Sequence, residues 1–397
     1  MSAVSHLYAA RATRAFGDGF AVIILPAYLS AIGFDAVAIG LIATASLFGS
    51  ALSTLAIGYL AVRYDLRNLL IASAMLMLAT GLALPGVEHF AFIFVVAFVG
   101  TVNPTGGDIG VFVPLEHAML ARDVESRERT RTFARYSLIG ALAGAVGSLA
   151  AATPDLLAPL GFGKIDAMRA MFYGYAALAL IGAAFYRRLP AAPPVDVDAR
   201  PAPLGQSKGI VYRLAALFSL DAFAGGFVVQ SLLALWLFER FGLSIAEASV
   251  FFFWTGVLSA FSYPVAAWLA GRIGLINTMV FTHIPSSICL ILAAFATDLT
   301  IVLVLLLVRA ALSQMDVPTR SSYVMAVVSP PERTAAASVT AVPRSLAAAS
   351  SPALAGVLLT MPFSGLPLVI CGTLKIAYDL LLLYSFRAVK PPEESDG

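Results

Sequence analysis

Four aspartates lie inside otherwise hydrophobic stretches of the sequence. They are Asp18, Asp108, Asp221 and Asp316, and they fall in the first, fourth, seventh and tenth stretch. A carboxylate at the centre of a bilayer costs about 2.5–3.5 kcal/mol on insertion scales. Because four bare carboxylates would cost about as much as the ~5–15 kcal/mol stability of a typical domain, each must meet water, a cation or a proton. We therefore predict that these residues couple transport to protons, with Asp18 as the first candidate because glycines flank it.

The elements that position these aspartates are predicted to be membrane spans. The chain has 397 residues, of which 60% are hydrophobic and only 12% charged, and its mean hydropathy is +0.89. A soluble protein of this length cannot bury so much apolar surface in one core. Runs long enough to cross a ~30 Å hydrocarbon core cover residues 10–32, 37–62, 69–85, 90–119, 132–152, 166–186, 211–238, 246–270, 276–296, 299–328, 334–360 and 365–386. The sequence therefore predicts twelve transmembrane helices.

The distribution of basic residues predicts the orientation of these helices. Most Arg and Lys outside the spans fall on the side of the termini, and only Lys164, Arg169 and Arg240 fall on the opposite side. Cytoplasmic loops carry the excess of Lys and Arg. We therefore expect both termini in the cytoplasm and the protein in a bacterial inner membrane. The basic loops also carry carboxylates, so no nucleic-acid partner is expected.

The two halves of the chain are predicted to be repeats of one six-helix unit. A proline-rich and charged linker over residues 187–210 divides the segment 1–186 from the segment 211–397. A shift of about 207 residues lays residues 16–20 on residues 223–227, and a similar shift lays Asp108 on Asp316. The first copy carries four extra residues after its aspartate, beside several glycines. We therefore expect the fourth helix to be kinked or unwound there, as discontinuous helices are at transport sites.

This arrangement resembles the major facilitator superfamily. The resemblance rests on six plus six spans and on the short basic loop Gly58–Arg67 after the second span. It implies an all-α polytopic membrane protein in which two six-helix bundles are related by a pseudo-two-fold axis. It also implies that the first, fourth, seventh and tenth helices line a central cavity, which is where the sequence places its aspartates.

The tenth span supplies candidate residues for substrate binding. Arg309, Ser313, Asp316 and Arg320 are spaced by 4, 3 and 4 residues, which places them on one helical face. Arg309 either binds an anionic substrate bidentately or neutralises Asp316, and the spacing favours neither. We also predict Asn103, Gln230, Trp254, Tyr323 and Arg344 at the substrate cavity.

The repeat also suggests a cytoplasmic gate. Glu116 overlays Arg320, and Arg14 overlays Asp221, so each pair lies at equivalent depth in the two halves. We predict that each pair forms a salt bridge across the halves and closes the cytoplasmic mouth. The basic loops that resemble the family motif add Arg63 and Arg272 to this gate.

These observations predict secondary active transport of a small organic solute by alternating access, in the form of proton-coupled export of a drug or metabolite. The sequence has no phosphate-binding loop for ATP, no metal-ligand spacing and no nucleophile and base set, so we expect neither a cofactor nor enzyme activity. Substrate, protons and lipid are the expected partners, and we expect the monomer to function. The alternatives are a proton-coupled importer or uniporter of an organic anion, which would use Arg309, Arg320 and Arg344, and a membrane sensor or embedded enzyme on the same scaffold.

Overall fold

A computed structural model describes residues 2–106, 110–123, 126–191, 204–329 and 332–387. Asp108 and residues 192–203 of the predicted linker lie outside these ranges. The described residues are almost entirely helical. The first half contains α1 (Ala3–Ala31), α2 (Ala36–Leu60), α3 (Leu66–Ala83), α4 (Phe90–Val99), α5 (Phe112–Asp123), α6 (Ser126–Ala150), α7 (Thr153–Leu157) and α8 (Lys164–Arg187).

The second half contains a corresponding series of helices. They are α9 (Lys208–Gly226), α10 (Gln230–Phe241), α11 (Ile245–Ile273), α12 (Leu275–Phe295), α13 (Leu299–Ser313), α14 (Asp316–Val327), α15 (Arg333–Leu359) and α16 (Leu366–Phe386). Among the described residues, ten helical segments are long and apolar enough to cross a membrane, and α4 is a shorter apolar helix. The all-α polytopic membrane fold predicted from the apolar runs is thus confirmed.

The fourth, seventh and tenth spans are each divided into two helices. The fourth span is interrupted between Val99 and Phe112, as predicted from the four extra residues, and the tenth is interrupted after Ser313. The seventh span is interrupted after Gly226, which the sequence did not predict. These interruptions expose backbone N–H and C=O groups that need partners at membrane depth. The Ser231 N–H donates to the Pro104 carbonyl at 3.0 Å, so two of the interruptions satisfy each other.

The chain forms two compact units, and their boundary differs from a simple division into halves. Unit 1 comprises Met1–Asp198 together with Val229–Gly256, and unit 2 comprises Ala199–Val228 together with Val257–Gly397. Unit 1 thus includes α10 and the beginning of α11 from the second half. The predicted domain limits at residues 186, 187–210 and 211 stay a prediction.

Glycines allow the closest helix crossing in unit 1. A Cβ atom on Gly19 would overlap the backbone carbonyl of Gly144, and one on Gly147 would overlap the carbonyl of Phe16. Small residues permit this approach of membrane helices. The Ser148 hydroxyl then donates to the Gly19 carbonyl at 3.2 Å. The glycine after Asp18 therefore serves packing of α1 on α6, and it does not leave the carboxylate unshielded as the sequence suggested.

Unit 2 repeats this crossing between α9 and α15. A Cβ atom on Gly226 would overlap the Ser351 hydroxyl, and that hydroxyl donates to the Phe223 carbonyl at 2.6 Å. Beside the crossing, α9, α12, α14 and α16 enclose a hydrophobic core that includes Phe218, Met279 and Tyr378. Each unit thus fixes its first helix by the same small-residue contact.

The carboxylate of Glu332 holds the beginning of α9. It accepts hydrogen bonds from the backbone N–H groups of Gly205 at 3.0 Å, Gln206 at 3.1 Å and Ser207 at 3.1 Å. An anion is stabilised at a helix N-terminus because the first N–H groups have no partner within the helix. A hydrogen bond from the Ser207 side chain, together with these backbone donors, holds the pKa of Glu332 below its ordinary value.

We predict that Glu332→Gln lowers the apparent melting temperature of the purified protein at pH 7. Because the folded-state pKa is lowered, the ionised carboxylate contributes stability above the ordinary value of 4.5 and loses that contribution as the pH falls through the folded-state pKa. Melting temperatures of both proteins should therefore differ by a constant amount above pH 4.5 and converge only as the pH is lowered from there through the folded-state pKa. Glu88→Gln, at an exposed ion pair, serves as the control and should change little. A melting difference that is independent of pH would contradict this assignment.

Candidate functional site

In unit 1, the guanidinium of Arg14 lies between two buried carboxylates. Its Nη2 is 3.0 Å from Oε2 of Glu116 in α5, and its Nη1 is 3.5 Å from Oδ2 of Asp18, one turn further along α1. The Arg14 guanidinium also lies 4.8 Å from the centre of the Phe112 ring. Opposite charges at these separations offset the cost of removing each group from water. Arg14 therefore makes both acids tolerable in the membrane.

Tyrosine hydroxyls complete the hydrogen bonding of the two acids. Tyr186 donates to Oε1 of Glu116 at 2.6 Å, and Tyr136 donates to Oε2 of the same carboxylate. Tyr175 donates to Oδ1 of Asp18 at 3.2 Å. Glu116 is completely buried, whereas the side chain of Asp18 is 11% exposed. Of the two acids, Asp18 has the longer ion pair, fewer donors and access to solvent.

Asp18 and Arg14 line a small cavity within unit 1 that is partly open to solvent. Its other lining residues are Ser50, Ser53, Leu76, Gly100, Thr101, Gly110, Val111 and Phe112. Hydroxyl groups and apolar side chains thus share the wall with one acid and one base.

In unit 2, Asp221 of α9 is the centre of a second ion cluster. Its Oδ2 is 3.1 Å from Nη1 of Arg320, and its Oδ1 is 2.5 Å from Nζ of Lys375 in α16. Arg320 also binds Oδ2 of Asp316 through Nη2, at 3.1 Å. Both aspartates are about 4% exposed. The predicted membrane aspartates Asp221 and Asp316 therefore meet cations.

The two clusters share one ion pair with inverted polarity. The Arg14–Glu116 pair of unit 1 and the Asp221–Arg320 pair of unit 2 occupy equivalent positions of the repeat. Their separations are 3.0 Å and 3.1 Å. The first helix of the repeat supplies the cation in one unit and the anion in the other. The contact is therefore a property of the repeat, and both polarities of the pair occur in this chain.

These pairs bear on the predicted cytoplasmic gate. Arg14, Glu116, Asp221 and Arg320 each have an ion partner inside their own unit. Arg63, in the turn after α2, lies instead 4.5 Å from the ring centre of Tyr59. Arg272 in α11 lies 4.2 Å from the ring centre of Trp268. A salt bridge across the halves stays a prediction, and its formation requires the observed pairs to open.

The predicted substrate residues of the first unit lie at the interrupted helices. Asn103 is buried, and its side-chain oxygen accepts hydrogen bonds from the Thr105 N–H at 2.9 Å and the Thr105 hydroxyl at 2.7 Å. Gln230 begins α10, and its side-chain oxygen lies against Gly106. Trp254 in α11 is 50% exposed and stacks edge-on with Phe253. The structure thus brings Asn103 and Gln230 to the same interruption.

The predicted substrate residues of the second unit lie in different environments. Tyr323 is fully buried in the hydrophobic core beside Phe386. Ser313 ends α13 and is partly exposed. Arg344 is exposed, and its main electrostatic neighbour is Arg320. Arg309 is partly buried in α13, and among the described residues it has no ion pair. Arg320, and not Arg309, therefore neutralises Asp316 in the structure.

Sequence reasoning missed several members of the clusters. Tyr136, Tyr175 and Tyr186 are common residue types with no distinctive spacing, so only the helix packing reveals that they meet an acid. Lys375 and Asp379 lie one turn apart in α16, but they do not pair with each other: Lys375 binds Asp221, and Asp379 binds His283. Their signal was present, because an ionisable residue in a membrane helix needs a partner. In the described part of the chain, no group of three or more His, Cys, Asp or Glu is placed to hold a metal.

The chain belongs to the major facilitator superfamily. The family model, described as Major Facilitator Superfamily, matches residues 7–237 and again residues 214–397. The family is one of transporters and not of enzymes. A yeast relative from Saccharomyces cerevisiae, the uncharacterized membrane protein YJR124C, is 24% identical over 96% of this chain and 94% of its own length. The protein is thus an integral membrane protein with a transporter fold.

Solved structures share this fold at low sequence identity. A D-xylose-proton symporter matches with a TM-score of 0.74 and 16% identity, over 96% of each chain. The human organic anion transporter MFSD10 matches with a TM-score of 0.66 and 16% identity, over 96% of this chain and 100% of its own. At these identities the likeness shows the fold.

We predict that Glu116 and Arg14 are energetically coupled. Glu116→Gln leaves the Arg14 guanidinium with one distant acid, so unfolding experiments in detergent should show a loss of about 3–5 kcal/mol, as expected when one partner of a buried pair is removed. The double variant with Arg14→Gln should lose clearly less than the sum of the single losses.

The matched control combines Glu116→Gln with Arg320→Gln, since the structure gives these residues separate partners. This combination should be additive. The observed pairs would be contradicted if the losses in unfolding free energy of Glu116→Gln and Arg14→Gln were additive while those of Glu116→Gln and Arg320→Gln were coupled. That result would favour the predicted salt bridge across the halves.

Proposed function

We propose that this protein exports a small organic solute in exchange for protons, by alternating access, as a monomer. The observation that carries the proposal is the position of Asp18, a membrane carboxylate at the wall of a cavity, held by a single ion pair of 3.5 Å. The excess of basic residues beside the termini supports a cytoplasmic location for both ends and a bacterial inner membrane for the protein.

Asp18 is favoured over Glu116 as the proton carrier because the consequences of protonation differ. A proton on Asp18 weakens only the longer contact of Arg14, which keeps its 3.0 Å bridge to Glu116. A proton on Glu116 would disturb that bridge and the hydrogen bonds from Tyr136 and Tyr186. Arg11, which lies 5.0 Å from the Tyr136 ring centre, adds a further positive charge near these tyrosines. Protonation of Asp18 therefore costs the least ion pairing.

The cavity wall supports an organic solute with apolar and hydroxyl-binding parts. Leu76, Val111 and Phe112 offer apolar contact, and Ser50 and Thr101 offer hydrogen bonds. A relative of the same fold is a D-xylose-proton symporter, so the fold is compatible with proton coupling. Short loops and the apolar lining favour a drug or metabolite as the exported solute.

We predict that Asp18→Asn abolishes proton-driven transport while leaving solute exchange intact. The amide keeps the shape and the hydrogen-bonding capacity of the carboxyl group but does not carry a proton at neutral pH. Proteoliposomes with an acidic lumen, with ethidium as the probe, should take up dye with the unaltered protein and only at background rate with Asp18→Asn. Exchange of labelled for unlabelled ethidium without a pH gradient should persist in both.

Asp166→Asn is the matched control, because that carboxylate is 76% exposed at the end of a span. It should transport ethidium like the unaltered protein. Full proton-driven uptake by Asp18→Asn would remove the assignment of Asp18. Failure of the unaltered protein to move ethidium or the anion probe of the second candidate under a pH gradient would contradict proton-coupled transport of such solutes.

Transport of an organic anion is the second candidate function, and Arg309 favours it. This guanidinium lies in the middle of α13, partly buried, without an ion pair among the described residues. Arg binds carboxylates through two parallel hydrogen bonds, which makes it suited to an anionic solute. The human protein of similar fold is described as an organic anion transporter.

For this second function, we predict that Arg309→Gln weakens binding of p-aminohippurate about 10- to 150-fold, as loss of a charge-assisted hydrogen bond of about 1.5–3 kcal/mol implies. Arg309→Lys should recover only part of the affinity because an ammonium does not form the bidentate contact. Thermal-shift titrations of the purified protein measure both. Arg169→Gln, at a partly exposed arginine that is paired with Glu88, is the control. Unchanged affinity in Arg309→Gln would exclude the anion function at this residue.

A further inference from the structure

Four titratable side chains in unit 2 form a continuous chain between α16, α12 and α9. Nδ1 of His283 lies 3.0 Å and 3.1 Å from the two carboxylate oxygens of Asp379. Nε2 of His283 lies 3.3 Å from Nζ of Lys375, which lies 2.5 Å from Oδ1 of Asp221. His283, Asp379 and Asp221 are buried, and the Lys375 side chain is 13% exposed. The order of the chain is Asp379, His283, Lys375 and Asp221.

Hydrogen-bond chemistry assigns the protons along this chain. An ammonium group only donates, so Lys375 donates both to Asp221 and to Nε2 of His283. A carboxylate only accepts, so Nδ1 of His283 carries the hydrogen that points to Asp379. His283 is therefore neutral in this arrangement. Its Nε2 lone pair is occupied by the hydrogen bond from Lys375.

The Nε2 lone pair either accepts the hydrogen bond from Lys375 or binds a proton, and it cannot do both at once. If a proton from water binds there and forms an N–H bond, His283 becomes a cation and loses its acceptor, so it repels Lys375 at 3.3 Å. Oδ1 of Asp221, which is 3.9 Å away, is an acceptor for the new N–H. Protonation thus separates Lys375 from His283 and brings His283 towards Asp221. Release of the proton to water reverses the exchange.

The geometry points to His283 as a second proton-binding site of the transporter, in which protonation replaces Lys375 by His283 as the partner of Asp221. This inference rests on the proposed proton coupling and adds a site in unit 2 to Asp18 in unit 1. A proton at His283 changes the ion pairing of α9, the first helix of the second repeat. Proton binding is thereby linked to a change in the contacts between helices.

Further charged and titratable side chains lie near this chain on α13, α14, α15 and α16. They are Tyr378 on α16, Arg320 and Asp316 on α14, Arg309 on α13 and Arg344 on α15. Arg320 stays bound to both Asp221 and Asp316 at 3.1 Å. Because Arg320 remains, Asp221 keeps one cation while Lys375 and His283 exchange. The neighbours therefore allow the exchange without leaving a bare carboxylate.

Nuclear magnetic resonance of the full-length protein with nitrogen-15 labelled histidine tests the proton site without a substrate. The chain has 4 histidines, so His283→Gln identifies the signal by its disappearance. We expect the His283 ring to convert from the Nδ1–H form to the imidazolium as the pH is lowered. Lys375→Gln removes the competing cation and should raise the midpoint by about one pH unit or more, a tenfold gain in proton affinity.

Asp379→Asn provides the opposite and independent result. It removes the anion that stabilises the imidazolium and leaves the contact of Lys375 with Asp221 in place. The His283 midpoint should therefore fall by about one pH unit, which is a tenfold loss of proton affinity. Lys164→Gln removes an exposed lysine and should leave the His283 midpoint unchanged. The inference is overturned if His283 stays neutral throughout the pH range in which the protein is folded, or if both variants shift its midpoint in the same direction.

Transport by His283→Gln then tests the role of the site in the cycle. Ethidium uptake into acid-loaded proteoliposomes should fall at least tenfold, while ethidium exchange without a gradient should persist. Retention of full proton-driven uptake in His283→Gln would overturn the link to transport. The titration of His283 does not depend on ethidium or on Asp18, so failure of the proposed function and failure of this site give separate results.

Discussion

The fold depends on the high cost of an unpaired charge in hydrocarbon. Each described membrane aspartate of the original pattern meets a cation inside its own unit: Asp18 meets Arg14, Asp221 meets Lys375 and Arg320, and Asp316 meets Arg320. Removing one partner of such a pair is far more costly than replacing both, because the other charge is left buried. The acids and bases of each unit therefore depend on one another. The helices that carry them must pack so that each charge faces its partner.

The repeat explains how these sets are built and why they differ. The same glycine crossing fixes the first helix of each unit, at Gly19 and at Gly226. On that common frame the central ion pair has opposite polarity in the two units. Tyr175 and Lys375, each from the last helix of its half of the chain, then supply further donors to Asp18 and Asp221. Asp18 and Asp221 lie one helical turn apart in the frame of the repeat, and they differ in chemistry because a neutral donor stands beside Asp18 and a second cation beside Asp221.

Much of this arrangement was predictable from the sequence, and the limit has a physical cause. Apolar run lengths predict the spans, and the repeat offset places Arg14 over Asp221 and Glu116 over Arg320. The offset shows that two residues lie at the same depth in the membrane, but it does not show which side of the helix each side chain faces. It therefore suggested pairing across the halves, whereas the observed pairs lie within each unit. The roles of Tyr186 and His283 depend on which helices touch, which one sequence does not reveal. Asp108 lies outside the described residues, so its role stays a prediction.

Infrared spectroscopy of the purified protein tests the central claim. The claim is that Asp18 exchanges a proton with water while the ion pair of Arg14 and Glu116 stays formed. A protonated carboxyl group has a carbonyl stretching band that an ionised carboxylate lacks. We expect such a band to grow as the pH is lowered, to be absent from Asp18→Asn and to persist in Asp166→Asn. A titrating band that is identical in the unaltered protein and in Asp18→Asn would contradict the account.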